Sequence, residues 1–166
     1  GAVNCIPAIM PARMLAEDID AAERRRDWYF GWWTETMLEG TYPQKVLRDC
    51  PEYLEALPEG YQADLDKWFT PMDFIGVNYY LPHYAKHIDE APYFEVAPDP
   101  EEGLHADWQE YYCMKVYPEG LYDILNEVNE RYHPDEILIT ENGISFMRDP
   151  NNPNMPTRIN DIERIK

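Results

Sequence analysis

"ILITENGI", residues 137–144, sets four strand-forming residues, Ile137 to Thr140, directly before a carboxylate, an amide and a glycine. The run is short, apolar and branched, and turn-forming residues close it, so it reads as a strand with Glu141 at its carboxyl end. The role of that glutamate depends on what lies beside the strand. With parallel neighbours, Glu141 stands at the rim of an α/β sheet, where binding and catalytic groups collect. The Asn142-Gly143 step equally fits a two-residue hairpin, which leaves Glu141 merely exposed.

Upstream, "YPEGLYDILNEVNERY", residues 117–132, opens on Pro118 and then spaces Leu121, Ile124, Leu125 and Val128 as one helical face. "HPDE" joins this helix to the strand in a link as short as those of αβ units. Further upstream, "MDFIGVNYY", residues 72–80, is a second strand, entered by Pro71 and left by Pro82. Asn78 and Tyr80 end it as Glu141 ends the later one. If they do not face a pocket, they are polar groups satisfied within the core.

The first ten residues, "GAVNCIPAIM", read as one buried strand that stops near Pro7 to Pro11, and Glu17 to Leu38 read as one long helix. Residues 51–70 read as loop or short helical pieces, and 81–115 as an irregular insertion of the kind that carries function. After "RDPNNPNMPT" an amphipathic stretch starts at Arg158. Strand, helix, strand, helix, strand, helix start, with strands apolar throughout, predicts parallel strands covered on both faces: an α/β barrel or a doubly wound sheet. Neither G-x-G-x-x-G nor G-x-x-x-x-G-K follows any strand, which disfavours the nucleotide-binding folds.

Of 166 residues 45% are hydrophobic and 14% aromatic, too many for a disordered chain, although 15 prolines imply many loops. The 32 acidic residues outnumber the 14 basic ones for a net charge of −18. That field repels nucleic acid and anionic membranes, leaving a neutral or cationic partner, and solubility accounts for it as well. Cys5, Cys50 and Cys113 form neither a disulfide framework nor a zinc pattern. With no signal-peptide pattern and no membrane-length apolar run, the expected location is cytoplasmic. Gly1 in a strand-like opening predicts that the true N-terminus lies elsewhere.

His83 and His87 have the i, i+4 spacing of a metal pair but lack the glutamate of H-E-x-x-H and a third ligand, so no metal or other cofactor is expected. There is no G-x-S-x-G elbow and no cysteine in a nucleophile context. Nucleophilic catalysis, if present, would use a carboxylate.

"ILITENGIS" resembles the nucleophile signature of the family 1 glycoside hydrolases, the β-glucosidase family. "GTYPQKVL", "MDFIGVNYY", "YPEGLYDIL" and "RINDIERI" resemble further segments of that family in the same order. The resemblance implies a partial (β/α)8 TIM barrel, about strands five to seven with their helices. Residues 1–166 would then be an incomplete C-terminal-half barrel domain, truncated at both ends. It implies a retaining β-glycosidase acting on a small β-glycoside or oligosaccharide. Glu141 would be the nucleophile, Tyr80 its hydrogen-bond donor, and Asn78 a substrate-binding residue near the acid/base group.

The family's acid/base glutamate lies in N-E-P, which does not occur here, and "NEV" at Asn126 falls inside a helix. Met114 stands where the family usually has tryptophan. A retaining site needs a second carboxylate about 5 to 5.5 Å from the first, so the chain alone is expected to be inactive. A non-catalytic sugar-binding module and a structural half-barrel are the alternative readings.

Overall fold

The computed structural model describes residues 1–100, 115 and 117–143. Along the chain run strands β1 (Ala2–Cys5) and β2 (Ala8–Pro11), helix α1 (Ala16–Arg26), a π-helical turn (Asp27–Gly31) and α2 (Trp32–Glu39). Then come α3 (Gln44–Asp49), α4 (Pro51–Ala56), α5 (Tyr61–Trp68), β3 (Ile75–Tyr79), β4 (Pro82–Lys86), β5 (Glu95–Ala97), α6 (Pro118–Tyr132) and β6 (Ile137–Asn142).

The central sheet has the order β1-β3-β6, and both of its pairings are parallel. A helical segment crosses back between each strand and the next, the connection found between consecutive staves of a βα barrel. β3 is the covered stave. Ile75, Val77 and Tyr79 on its outer face pack with Ile124 and Val128 of α6 and with Ile6, Ile9 and Phe30. Each such side chain contributes about 1.5 to 3 kcal/mol by leaving water, so this layer fixes where the strand ends point.

The opening ten residues form two strands rather than one. Pro7 has no N–H to donate, and the chain turns there, so β1 ends beside β3 while β2 pairs in parallel with β4 in a second sheet, order β2-β4-β5. Likewise the helix read over 17–38 contains the π-helical turn, whose wider winding carries Asp27 and Glu35 onto the same neighbour, Arg131. The insertion read as irregular holds β4 and the short antiparallel β5. Proline, histidine and lysine in "PHYAK" hid β4, although Pro82, Tyr84 and Ala85 are buried.

Not every strand is covered on both faces. Ile137 is half-buried, and the rest of β6 is exposed. β6 pairs in parallel with β3 and is a strand of the central sheet, while residues 144–147, the second arm of the hairpin reading, lie outside the described residues. The amphipathic stretch from Arg158, the "RINDIERI" segment, Cys113 and Met114 lie outside the described residues.

Candidate active site

Backbone register builds the site. Cys5 of β1 pairs with Asn78 of β3, and Asn78 pairs with Glu141 of β6, so three side chains stand in a row at the carboxyl ends of neighbouring strands. Parallel partners project to the same face. That face is the inner one, since the opposite face carries Asn4, whose Nδ2 donates to Thr34 Oγ1 of α2 at 2.9 Å, and Tyr79, whose hydroxyl donates to the Tyr117 carbonyl at 2.8 Å.

Glu141 would not share the inner face without an irregularity. Val77 pairs with Ile139 but Asn78 pairs with Glu141, so β6 spends one extra residue, Thr140, at a bulge. A bulge of this kind breaks the two-residue alternation and re-aims the side chains around it. Thr140 and Glu141 consequently both face inward. The Thr140 hydroxyl donates to Asn78 Oδ1 at 2.6 Å, and the following Asn142 Nδ2 donates to the Tyr79 carbonyl at 2.9 Å on the outer side.

Tyr80, just past the end of β3, donates its hydroxyl to Glu141 Oε2. That hydrogen bond, with the negative charge behind it, pushes the Tyr80 phenol above its ordinary value, so the phenol stays a neutral donor. Burial, and then the Glu141 charge, push the Cys5 thiol up as well, which keeps it protonated and a poor nucleophile. Among the residues of β1, β3 and β6, Glu141 is the single carboxylate. The arrangement therefore offers one aimed, solvent-reachable carboxylate with a phenol donor and an amide beside it.

The three residues named from the sequence, Asn78, Tyr80 and Glu141, are thus brought together. Cys5 and Thr140 were missed. Cys5 was hidden because the first strand was read as continuing past it to Pro7 or Pro11, and Thr140 because a bulge has no two-residue signature. His83 and His87 stand elsewhere: the His83 ring nitrogen Nδ1 faces Arg25 Nη2 at 3.1 Å, and burial and that guanidinium lower its pKa. His87 Nε2 lies 3.4 Å from Asp89.

The profile of Glycosyl hydrolase family 1 matches residues 1–166, and the chain belongs to that family. Avenacosidase 1 of Avena sativa is 33% identical over 162 residues, 90% of this chain and 28% of its own length. Beta-glucosidase A of Thermotoga maritima is 34% identical over 140 residues, 82% of this chain and 29% of its own. A solved structure of a Thermotoga maritima family 1 glycoside hydrolase, complexed with a cyclophellitol analogue transition state mimic, superimposes with a TM-score of 0.72 at 30% identity. It covers 98% of this chain and 34% of that one. The fold is accordingly part of a (β/α)8 barrel, and the chain spans about 30% of the length of the relatives it matches. Among the described residues no helix is long and apolar enough to cross a membrane.

Proposed function

We propose that residues 1–166 are part of one barrel domain and supply the nucleophile side of a retaining β-glycosidase acting on β-glucosides or related sugars. The observation that carries this is the Tyr80 hydroxyl donating to Glu141 at the carboxyl edge of the sheet, with Asn78 in register beside it. A carboxylate that must attack needs to be aimed, and a neutral phenol donor held on one of its oxygens aims it.

In this reading Glu141 attacks the anomeric carbon as the bond to the leaving oxygen breaks. A second carboxylic acid protonates that oxygen. The glycosyl ester on Glu141 is then opened by water, whose proton returns to the second group, and Glu141 leaves as a carboxylate. In the same reading the Asn78 amide, in register with Glu141, bonds a sugar hydroxyl in the transition state. No second carboxylate stands on β1, β3 or β6, so turnover requires one from chain outside these strands; with no N-E-P segment in the sequence to supply it, the 166 residues alone should not turn over.

The test is covalent trapping in the full-length protein. A 2-deoxy-2-fluoro β-glucoside slows opening of the ester, and mass mapping should find one sugar on the peptide containing Glu141, with none in Glu141→Gln. A sugar on another carboxylate, or turnover unaffected by Glu141→Gln, would overturn the assignment.

A further inference from the structure

Asn78 can orient a sugar only if its own amide is held one way round, and the strand end by itself leaves the side chain free to flip. We infer that Thr140 is the residue that holds it. The inference rests on the proposed role of the Asn78–Glu141 site and adds a positioning residue to it.

Three observations converge. The Thr140 hydroxyl donates to Asn78 Oδ1 at 2.6 Å, which occupies the carbonyl end of the amide and leaves the Nδ2 protons as donors. Thr140 reaches Asn78 because it is the extra residue at the bulge; in regular alternation a residue directly before Glu141 would face the opposite side of the sheet. Its methyl and hydroxyl lie directly over Gly76. A Cβ on Gly76 would come within 2.8 Å of Val3 Cγ2, 2.9 Å of Thr140 Cγ2 and 3.0 Å of Thr140 Oγ1. The glycine two residues before Asn78 is thus the seat into which Thr140 settles, with Val3 of β1 closing the other side.

One side chain therefore links the two strand ends. Through the backbone it sits next to Glu141, and through its hydroxyl it fixes the amide that pairs with Glu141. Its chemical part is orientation of a donor, since a threonine hydroxyl hydrogen-bonded to an amide carbonyl neither attacks nor transfers a proton to sugar. A residue of similar size without the hydroxyl should keep the packing over Gly76 and lose the orientation.

The experiment uses the full-length protein with Thr140→Val and Thr140→Ser, each also in an Asn78→Ala background, with an aryl β-glucoside as substrate. Thr140→Val should lower kcat by about five- to tenfold, the loss of one oriented neutral hydrogen bond, with a smaller change in KM. Thr140→Ser, which keeps the hydroxyl, should return most of it. In Asn78→Ala the valine should add nothing, because the group it orients is gone. Full activity in Thr140→Val, equal loss in Thr140→Ser, or an additive effect in Asn78→Ala would each overturn the inference. If the unmodified protein turns over no glycoside, the proposed function fails separately. The Asn78 side-chain amide resonances then decide: they should move in Thr140→Val and return in Thr140→Ser, and their indifference would sink the positioning role. Gly76→Ala, which crowds Thr140, should move the same resonances.

Discussion

At the scale of single residues, the inner rim of β1, β3 and β6 holds one charge and several neutral groups that lean on it. Tyr80 is the clearest case, since its phenol is raised chiefly by the hydrogen bond it gives Glu141. Replacing Glu141 with Gln removes the charge, so the Tyr80 phenol should titrate at lower pH in the variant; phenolate absorbance compared between the two proteins reads this directly. An unchanged midpoint would mean that the pair is not coupled in solution. With Glu141 as the proposed nucleophile, Tyr80→Phe in the full-length protein should lower kcat by about tenfold or more, the scale expected for losing a donor to such a carboxylate. Phenylalanine keeps the ring, so packing loss alone should leave kcat nearly intact. Cys5, which the Glu141 charge also reaches, should by the same logic alkylate faster in Glu141→Gln than in the unmodified chain at equal pH.

At the scale of elements, α6 carries the chain into β6 and hence sets where Glu141 stands, and a buried charge cluster ties it to α2. Arg131 of α6 bonds Asp27 and Glu35, both at 2.5 Å, and the two carboxylates are nearly enclosed. One guanidinium between two buried carboxylates leaves a net negative charge, and one of them holds a proton more tightly than usual. That is Glu35, pushed up to about 7 by burial despite Arg131, with Asp27 and Glu39 adding repulsion. The native state therefore binds a proton that the unfolded chain releases near pH 4.5. Its contribution is complete below that pH and is lost as pH rises toward 7. Denaturant titrations should show a slope of up to about 3 kcal/mol over that range, flattened in Glu35→Gln. A slope unaffected by the variant would place the titration elsewhere. Arg131→Met should destabilise by roughly 3 to 5 kcal/mol at neutral pH, because both carboxylates lose their counterion. None of this cluster was legible in the sequence. Arg131 is 104 residues from Asp27 and 96 from Glu35 in the chain, and the π-helical turn that lies between those two carboxylates has no periodic signature. α6 and β6 were legible for the opposite reason: Ile124 and Val128 repeat at helical spacing, and Ile137 to Ile139 form an unbroken branched run. The start of the chain was misread because apolar residues continue through Pro7, and hydrophobicity alone does not mark a change of sheet.

At the scale of the whole molecule, the inner layer is only partly built by these elements. β3 is enclosed, with Ile75 and Val77 at zero exposure, while among the described residues the flanking strands show apolar side chains to solvent: Val3 at 52%, Leu138 at 37% and Ile139 at 51%. Val3 and Leu138 face the inside of the barrel arc, and Ile139 faces the helical side, so β6 lacks cover on both. Strands in this state have free hydrogen-bonding edges and sticky faces, and they pair with whatever strand is at hand. The net charge of −18 opposes such association between copies, and salt weakens that opposition. Expressed as these 166 residues alone, the chain should therefore self-associate, bind a hydrophobic dye, and do both more strongly as ionic strength is raised. Placed in the full-length protein, the same residues should be protected from exchange at β1 and β6 as well as at β3. Light scattering across a salt series decides the first part: a monomer at all salt concentrations, melting in one sharp transition without dye binding, would show that the flanking strands are covered by chain outside the described residues.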